Sequence, residues 1–107
     1  MTRRPLNDAE RAVLRRILAA HPGLLAQLDH AEVTSAWSEG SLSVDIEVPN
    51  ATPAEGISGV LPGYAYVEDI GELLVWVDKG VLAALEYAWH TDEPPTELPS
   101  PDRITLV

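Results

Sequence analysis

The first twenty residues have apolar positions at the spacing of an amphipathic helix. Asn7 stands before this run with Glu10 three positions on, which is the spacing of a capping box. The pattern predicts a helix from about Asp8 to Ala20 that ends at the following Pro22-Gly23 pair. A second short helix is expected to begin at Pro22, with three leucines directed inward: Leu24, Leu25 and Leu28.

Beyond the helices, the period of the apolar positions changes to two, which is typical of a strand with one wet face. A two-residue turn at Glu39-Gly40 predicts an antiparallel hairpin in this region. The predicted register places Trp37 opposite Leu42 and Val33 opposite Ile46, because this keeps the apolar side chains on one face.

The Asp78-Lys79-Gly80 segment predicts a second hairpin. A type I turn with Gly80 in a left-handed bulge pairs Val77 with Val81. In that register Trp76 lies directly across from Leu82, on the face turned away from the helices. This outward face combines apolar side chains with two carboxylates, and its predicted contact residues are Glu72, Leu74, Trp76, Leu82 and Glu86.

The remaining segments complete an α+β fold. Residues 49–63 hold three prolines and three glycines and predict a long loop, followed by a short strand at 64–67. The proline-rich end is expected to be extended and to dock back through Ile104, Leu106 and Val107. The pattern thus predicts one main N-terminal helix and a short second helix packed on an antiparallel meander of about five strands.

Chain length favours a single domain. With 107 residues, we expect one domain that is helical over 1–30, forms a sheet over 31–90 and ends in a proline-rich tail over 91–107. No run approaches the 18 or so apolar residues of a transmembrane helix. The sequence contains no cysteine, which excludes disulfides and fits a cytoplasmic location.

The charge is strongly acidic and unevenly distributed. The chain carries 7 basic and 17 acidic residues, a net charge of −10, which argues against nucleic acid and anionic membranes as partners. Residues 1–20 have a local charge of +3, whereas residues 31–107 have a local charge of −12. The simplest interpretation is that a basic helix pairs with an acidic sheet inside one molecule. A basic protein partner is the other interpretation.

One segment resembles a known group of proteins. The stretch Leu74-Val75-Trp76-Val77, the Asp78-Lys79-Gly80 turn, the run from Leu82 to Tyr87 and the following prolines cover residues 72–104. This combination resembles a group of small uncharacterised bacterial proteins, and similar hairpins occur in immunity-like proteins of toxin systems. The resemblance implies no catalytic residue, but it suggests an antagonist of a cationic protein.

Catalytic and metal-binding motifs are weak in this sequence. The three histidines lack the spacing of a metal site, so neither a metal nor another cofactor is predicted. The acid–base groups of a small hydrolase or isomerase would be His90 with Asp45 and Glu47, placed near the 49–63 loop. Asp45 and Glu47 are expected on a solvated strand face, where they more simply keep the sheet soluble.

The outward face around Trp76 therefore carries the leading functional hypothesis. Three outcomes are open for it: the proline tail covers it, the chain forms a homodimer through it, or a partner binds it. We expect a non-enzymatic, acidic protein-binding domain that uses this face against a basic partner. The alternatives are a structural homodimer and the small enzyme described above.

Overall fold

An antiparallel sheet of eight strands with helices on one face makes up residues 3–107, which the computed structural model describes. Met1 and Thr2, part of the expected helical segment 1–30, lie outside the described residues. The helical elements are α1 (Asp8–Leu18), α2 (Pro22–Leu25) and two 3-10 helices (Ala26–His30 and Pro101–Arg103). The strands are β1 (Arg4–Pro5), β2 (Glu32–Ala36), β3 (Val44–Glu47), β4 (Gly59–Val60), β5 (Ala65–Val67), β6 (Gly71–Asp78), β7 (Val81–Trp89) and β8 (Ile104–Leu106).

The α+β class is confirmed, but the expected five-strand meander is wrong in strand number and order. The strands lie in the order β1-β2-β3-β7-β6-β5-β8, and β4 pairs with the end of β6 that β5 leaves open. Strand β3 pairs with β7 rather than with the next strand in the sequence, so the β6–β7 hairpin lies in the centre. The edge strands β1 and β8 come from segments that were expected to be helical and extended, respectively.

Helix α1 begins at the predicted capping box. The Asn7 side chain accepts a hydrogen bond from the Glu10 N–H at 2.8 Å, and the Glu10 carboxylate accepts one from the Asn7 N–H at 2.9 Å. Glu10 is only 3 % exposed, and the Arg4 guanidinium donates two hydrogen bonds to it at 2.8 and 2.9 Å. These bonds raise the pKa of Arg4 and tie β1 to α1.

No helix within the described part of the chain is both long and apolar enough to cross a bilayer.

One hydrophobic core lies between the helices and the sheet face that they cover, which we call the inner face. The side chains of Leu24 and Leu28 are buried as expected, while Leu25 is half-buried. Fully buried side chains come from both layers: Val13, Leu14 and Leu18 from α1, and Val33, Val67, Val75, Leu85 and Ile104 from the strands. The core therefore spans nearly the whole width of the sheet.

A β-bulge in β2 changes the register predicted for the first hairpin. Val33 lies opposite Ile46 as predicted, but Thr34 is an extra residue before the next pair. The bulge reverses the side-chain phase of the rest of the strand. The prediction that Trp37 faces inward, opposite Leu42, is therefore wrong, and the indole lies on the other side of the sheet.

The turn of the central hairpin is tighter than predicted. Lys79 and Gly80 have φ angles of +50° and +82°, the signature of a two-residue type I′ turn. Asp78 consequently pairs with Val81, so the predicted Val77–Val81 pair is wrong. The primed turn matches the right-handed twist of the two long strands that it joins.

A second bulge follows in β7. Leu82 pairs with Val77, Ala83 is the extra residue, and Ala84 then pairs with Trp76. Because the two-residue turn places Leu82 opposite the inward-facing Val77, Leu82 enters the core and is only 1 % exposed, and the bulge then turns Ala84 outward. The prediction that Leu82 lies across from Trp76 on the outward face is wrong for this reason.

The buried side chain of Gln27 joins the helical layer to the central hairpin. Its Oε1 accepts a hydrogen bond from the Leu82 N–H at 2.9 Å. Its Nε2 donates to the carbonyl oxygens of Gly80 at 2.8 Å and Thr52 at 3.1 Å. The 49–63 loop is therefore held against the hairpin turn, where the Ala54 N–H also donates to the Gly80 carbonyl oxygen.

Replacing Gly80 by alanine should destabilise the fold more than the same change at Gly40. Both glycines have left-handed φ angles, +82° and +76°. A Cβ at Gly80 would lie 2.8 Å from the Ala54 nitrogen and closer still to its carbonyl oxygen, whereas nothing lies within 4 Å at Gly40. We expect losses in the free energy of unfolding of about 1 kcal/mol for Gly40→Ala and about 3 kcal/mol for Gly80→Ala in urea denaturation. Equal losses would contradict the close contact of the loop with this turn.

The variant Gln27→Met should keep the side-chain volume but leave the buried Leu82 N–H without its acceptor. We expect a loss of about 3 kcal/mol in the free energy of unfolding. The amide hydrogen of Leu82 should also exchange faster relative to that of Leu73, which lies near the far end of the hairpin. An unchanged ratio of the two exchange rates would show that Gln27 does not hold the hairpin.

Candidate interaction surface

The sheet face turned away from the helices, the outer face, exposes two indole rings that are fixed by carboxylates. The Trp76 Nε1 donates a hydrogen bond to Glu86 at 3.0 Å, and the Trp37 Nε1 donates one to Asp45 at 3.1 Å. Trp76 is 38 % and Trp37 46 % exposed. The Ser35 hydroxyl holds the second oxygen of Asp45 at 2.8 Å. Both rings are therefore held in place while much of their surface meets solvent.

The structure places four of the five predicted contact residues on this face: Glu72, Leu74, Trp76 and Glu86. Leu82 is the exception, since it belongs to the core. Ala84 takes its place across from Trp76, and Asp45 is the neighbour of Ala84 on the next strand. The centre of the outer face therefore has a small side chain where a leucine was expected.

Three exposed aromatic residues of the outer face were not among the predicted contact residues: Trp37, Tyr64 and Tyr66. The two tyrosine rings stack with their centroids 5.4 Å apart and an angle of 12° between the planes. Their alternation with the buried Ala65 in the sequence was a usable signal for an outward position. Trp37 had no such signal, because the bulge at Thr34 reverses the phase that the sequence suggests.

The outer face carries a marked excess of negative charge. Its carboxylates are Glu32, Asp45, Glu47, Glu72, Asp78 and Glu86. Arg3 pairs with Glu47 at 2.9 Å and with Glu32 at 3.4 Å. Within residues 3–107, no ion pair reaches Asp45, Glu72 or Glu86. The negative charge is therefore left uncompensated in the part of the face that holds the two indole rings.

The expected pairing of the basic N-terminal segment with the acidic sheet holds for Arg3, which pairs with Glu32 and Glu47, but not for the helix itself. The Arg11 and Arg16 guanidinium groups donate to the backbone carbonyl oxygens of Leu28 at 3.0 Å and Ile104 at 3.1 Å. The reason is geometric, because α1 lies on the inner face and the sheet separates it from the outer carboxylates. The arginines of α1 therefore do not neutralise the carboxylates of the outer face.

The proline tail does not cover the outer face. It runs beside Ala9 and Ala12 of α1, around a cavity of about 430 Å³ that Tyr87 also lines, and this places it on the helical side. Leu98 packs against the core, and Ile104 is buried as predicted. The predicted docking through the side chains of Leu106 and Val107 is wrong, because both are exposed and Leu106 is held by backbone pairing with β5. Of the three outcomes open for the Trp76 face, burial under the tail is therefore contradicted.

The acid–base group of the enzyme alternative is not assembled. Asp45 lies opposite Ala84, whereas His90 follows the end of β7, about 20 Å further along the strand at the usual rise per residue. Glu47 is paired with Arg3 at the other end of β3. No group of three histidine, aspartate or glutamate side chains within residues 3–107 is positioned to hold a metal ion.

Comparisons with protein-family models, with curated proteins and with solved structures find no significant match to this chain. The resemblance of residues 72–104 to immunity-like proteins therefore stays a prediction. Its central residues form the β6–β7 hairpin, so the segment that carries the resemblance also supplies Trp76 and Glu86 to the outer face.

The buried Tyr87 beneath the tail should make stability fall in alkaline solution. Burial raises the pKa of its phenol above 10.0, an effect that the charge of Arg103 opposes. The folded state therefore disfavours the phenolate, so this group's contribution is fully present below pH 10 and declines as the pH rises through the higher folded-state pKa. We expect the free energy of unfolding, measured by urea denaturation, to fall as the pH is raised above about 10. A Tyr87→Phe variant should show a smaller decline, and an equal decline would contradict this role.

Proposed function

We propose that this protein is a non-enzymatic, acidic binding domain whose outer face docks a basic protein. The observation that carries the proposal is the pair of exposed indole rings, Trp37 and Trp76, each held by a carboxylate on a face that residues 3–107 leave uncovered. Aromatic side chains are the usual anchors of protein interfaces, and preorganised ones lose little entropy on binding.

Charge complementarity supports a basic partner. The chain has a net charge of −10, and Asp45, Glu72 and Glu86 lie around the indole rings without an ion pair to any cation of residues 3–107. Such a face attracts a positively charged protein during diffusion and repels acidic ones. The same charge disfavours a second copy of this chain on the outer face, which makes the homodimer the weaker alternative.

A more specific form of the proposal follows from the resemblance of residues 72–104. In this form the partner is a cationic protein such as a secreted toxin, and the domain antagonises it by covering a functional basic surface. The domain itself then needs no catalytic group, which is consistent with the separation of His90 from Asp45 and Glu47.

The experiment uses two variants with equal charge but different positions. A basic protein is first captured from native lysate with the wild-type chain, with Trp76→Ala as the control bait, and is then purified. Reversing Glu72 and Glu86 to lysine should slow its association about tenfold at low salt, because steering depends on local charge. The same reversal at Glu93 and Glu97 in the tail changes the net charge equally and should have a much smaller effect.

The measurement is the association rate constant in stopped flow at low and at physiological salt. If both double variants slow association equally, the effect is one of net charge and the outer face is not the docking surface. If Trp76→Ala captures the same proteins as the wild type, the proposal is contradicted as well. A stable dimer in sedimentation that Trp76→Ala dissociates would support the homodimer instead.

A further inference from the structure

The centre of the outer face holds two exposed indole rings on either side of two carboxylates. Trp37 follows β2 and Trp76 lies in β6, three strand positions apart in the sheet, or about 14 Å at the usual strand spacing. Each ring leans inward to its carboxylate, and these two carboxylates, Asp45 and Glu86, lie on the adjacent strands β3 and β7. The small Ala84 lies between Asp45 and Trp76 and is buried beneath the larger side chains around it. We call this group of five residues the indole groove.

The carboxylates of the indole groove are oriented but keep free acceptor capacity. Asp45 receives one hydrogen bond on each oxygen, from Trp37 and from Ser35. Glu86 receives one from Trp76 on Oε1. Each carboxylate oxygen has two acceptor sites, so both groups can accept further donors without losing the bonds that fix them.

The other outer-face carboxylates show what the groove lacks. Glu32 and Glu47 share the guanidinium of Arg3, which lies between two strands and donates to both. Asp45 and Glu86 likewise lie on neighbouring strands, but within residues 3–107 no arginine or lysine pairs with either. Asp45 and Glu86 therefore resemble the pair Glu32 and Glu47, but they lack the arginine that Arg3 supplies to that pair.

We infer that the indole groove binds one arginine side chain of the basic partner, with its guanidinium stacked on the indole rings and paired with Asp45 and Glu86. This inference rests on the proposed function and names the group that is recognised. A planar guanidinium stacks on aromatic rings and donates in two directions at once. The ammonium of lysine is compact and strongly hydrated, and it does not match flat rings flanking two separate carboxylates.

The three tryptophans make a direct test possible, because each indole N–H gives its own signal in a nitrogen–proton NMR spectrum. Blocked tri-arginine and tri-lysine peptides, which carry equal charge, are titrated into the full chain. With tri-arginine the Trp37 and Trp76 signals should shift and reach saturation. The Trp89 signal should not shift, because Trp89 lies beside Pro94 and Pro95, away from the outer face. Tri-lysine should bind at least about threefold more weakly, the size of one exposed cation–π contact.

The variants Glu86→Gln and Asp45→Asn should each weaken tri-arginine binding, and Glu97→Gln in the tail is the matched control that should not. All three substitutions remove one charge and keep the side-chain size. An unshifted Trp89 signal in the free variants shows that the fold is intact. Equal weakening by all three variants would mean that net charge rather than the groove is responsible, and would overturn the inference.

The remaining outcomes separate this inference from the proposed function. If tri-lysine shifts the same two signals with equal affinity, the preference for arginine is wrong, but the basic docking surface stands. If neither peptide moves these signals while the captured partner still binds through the outer face, only the inference fails. If the partner also does not bind through the outer face, the inference and the proposed function are both wrong.

Discussion

The fold depends on the hydrogen bond from the Leu82 N–H to the side chain of Gln27. Strand β3 pairs with β7 only as far as Ala84, so beyond that point this edge of β7 needs another acceptor. A buried N–H left without one would cost about 1–3 kcal/mol. Gln27 supplies the acceptor from the 3-10 helix and binds the Gly80 turn with its amide group. The position of the helical layer and the register of the central hairpin are therefore set together.

That register decides which side chains form the candidate surface. The two-residue turn places Leu82 in the core, and the bulge at Ala83 then turns Ala84 and Glu86 outward beside Trp76. The bulge at Thr34 turns Trp37 outward on the other side of the face. In strictly alternating strands the two indole rings would lie on opposite faces of the sheet, and no groove would exist between them. Both bulges are thus functional features under our proposal, rather than irregularities of the ladder.

The sequence predicts best what depends on neighbouring residues. The capping box at Asn7 acts over three positions, and it correctly located the start of α1. The outward position of Trp76 was also predictable, because β6 alternates without interruption. Bulges cannot be predicted in this way, because a strand is assigned from the sequence on the assumption of a strict period of two. The side chain of Thr34 also has no feature that marks it as the bulged residue. The pairing of Ile104–Leu106 with Ala65–Val67 joins distant segments too short to show a pattern of their own.

The same two-layer arrangement separates charge across the molecule. The arginines of α1 lie on the inner side, and Arg11 and Arg16 are held there by backbone carbonyl oxygens. The sheet lies between these guanidinium groups and the outer carboxylates, and solvent-exposed charges separated by more than the Debye length of about 8 Å are largely screened from each other at physiological ionic strength. The helix therefore adds basic residues to the chain without neutralising Asp45 and Glu86 on the far face. A basic partner would then meet an acidic surface whose charge is set by the fold, and not by the net charge of the chain alone.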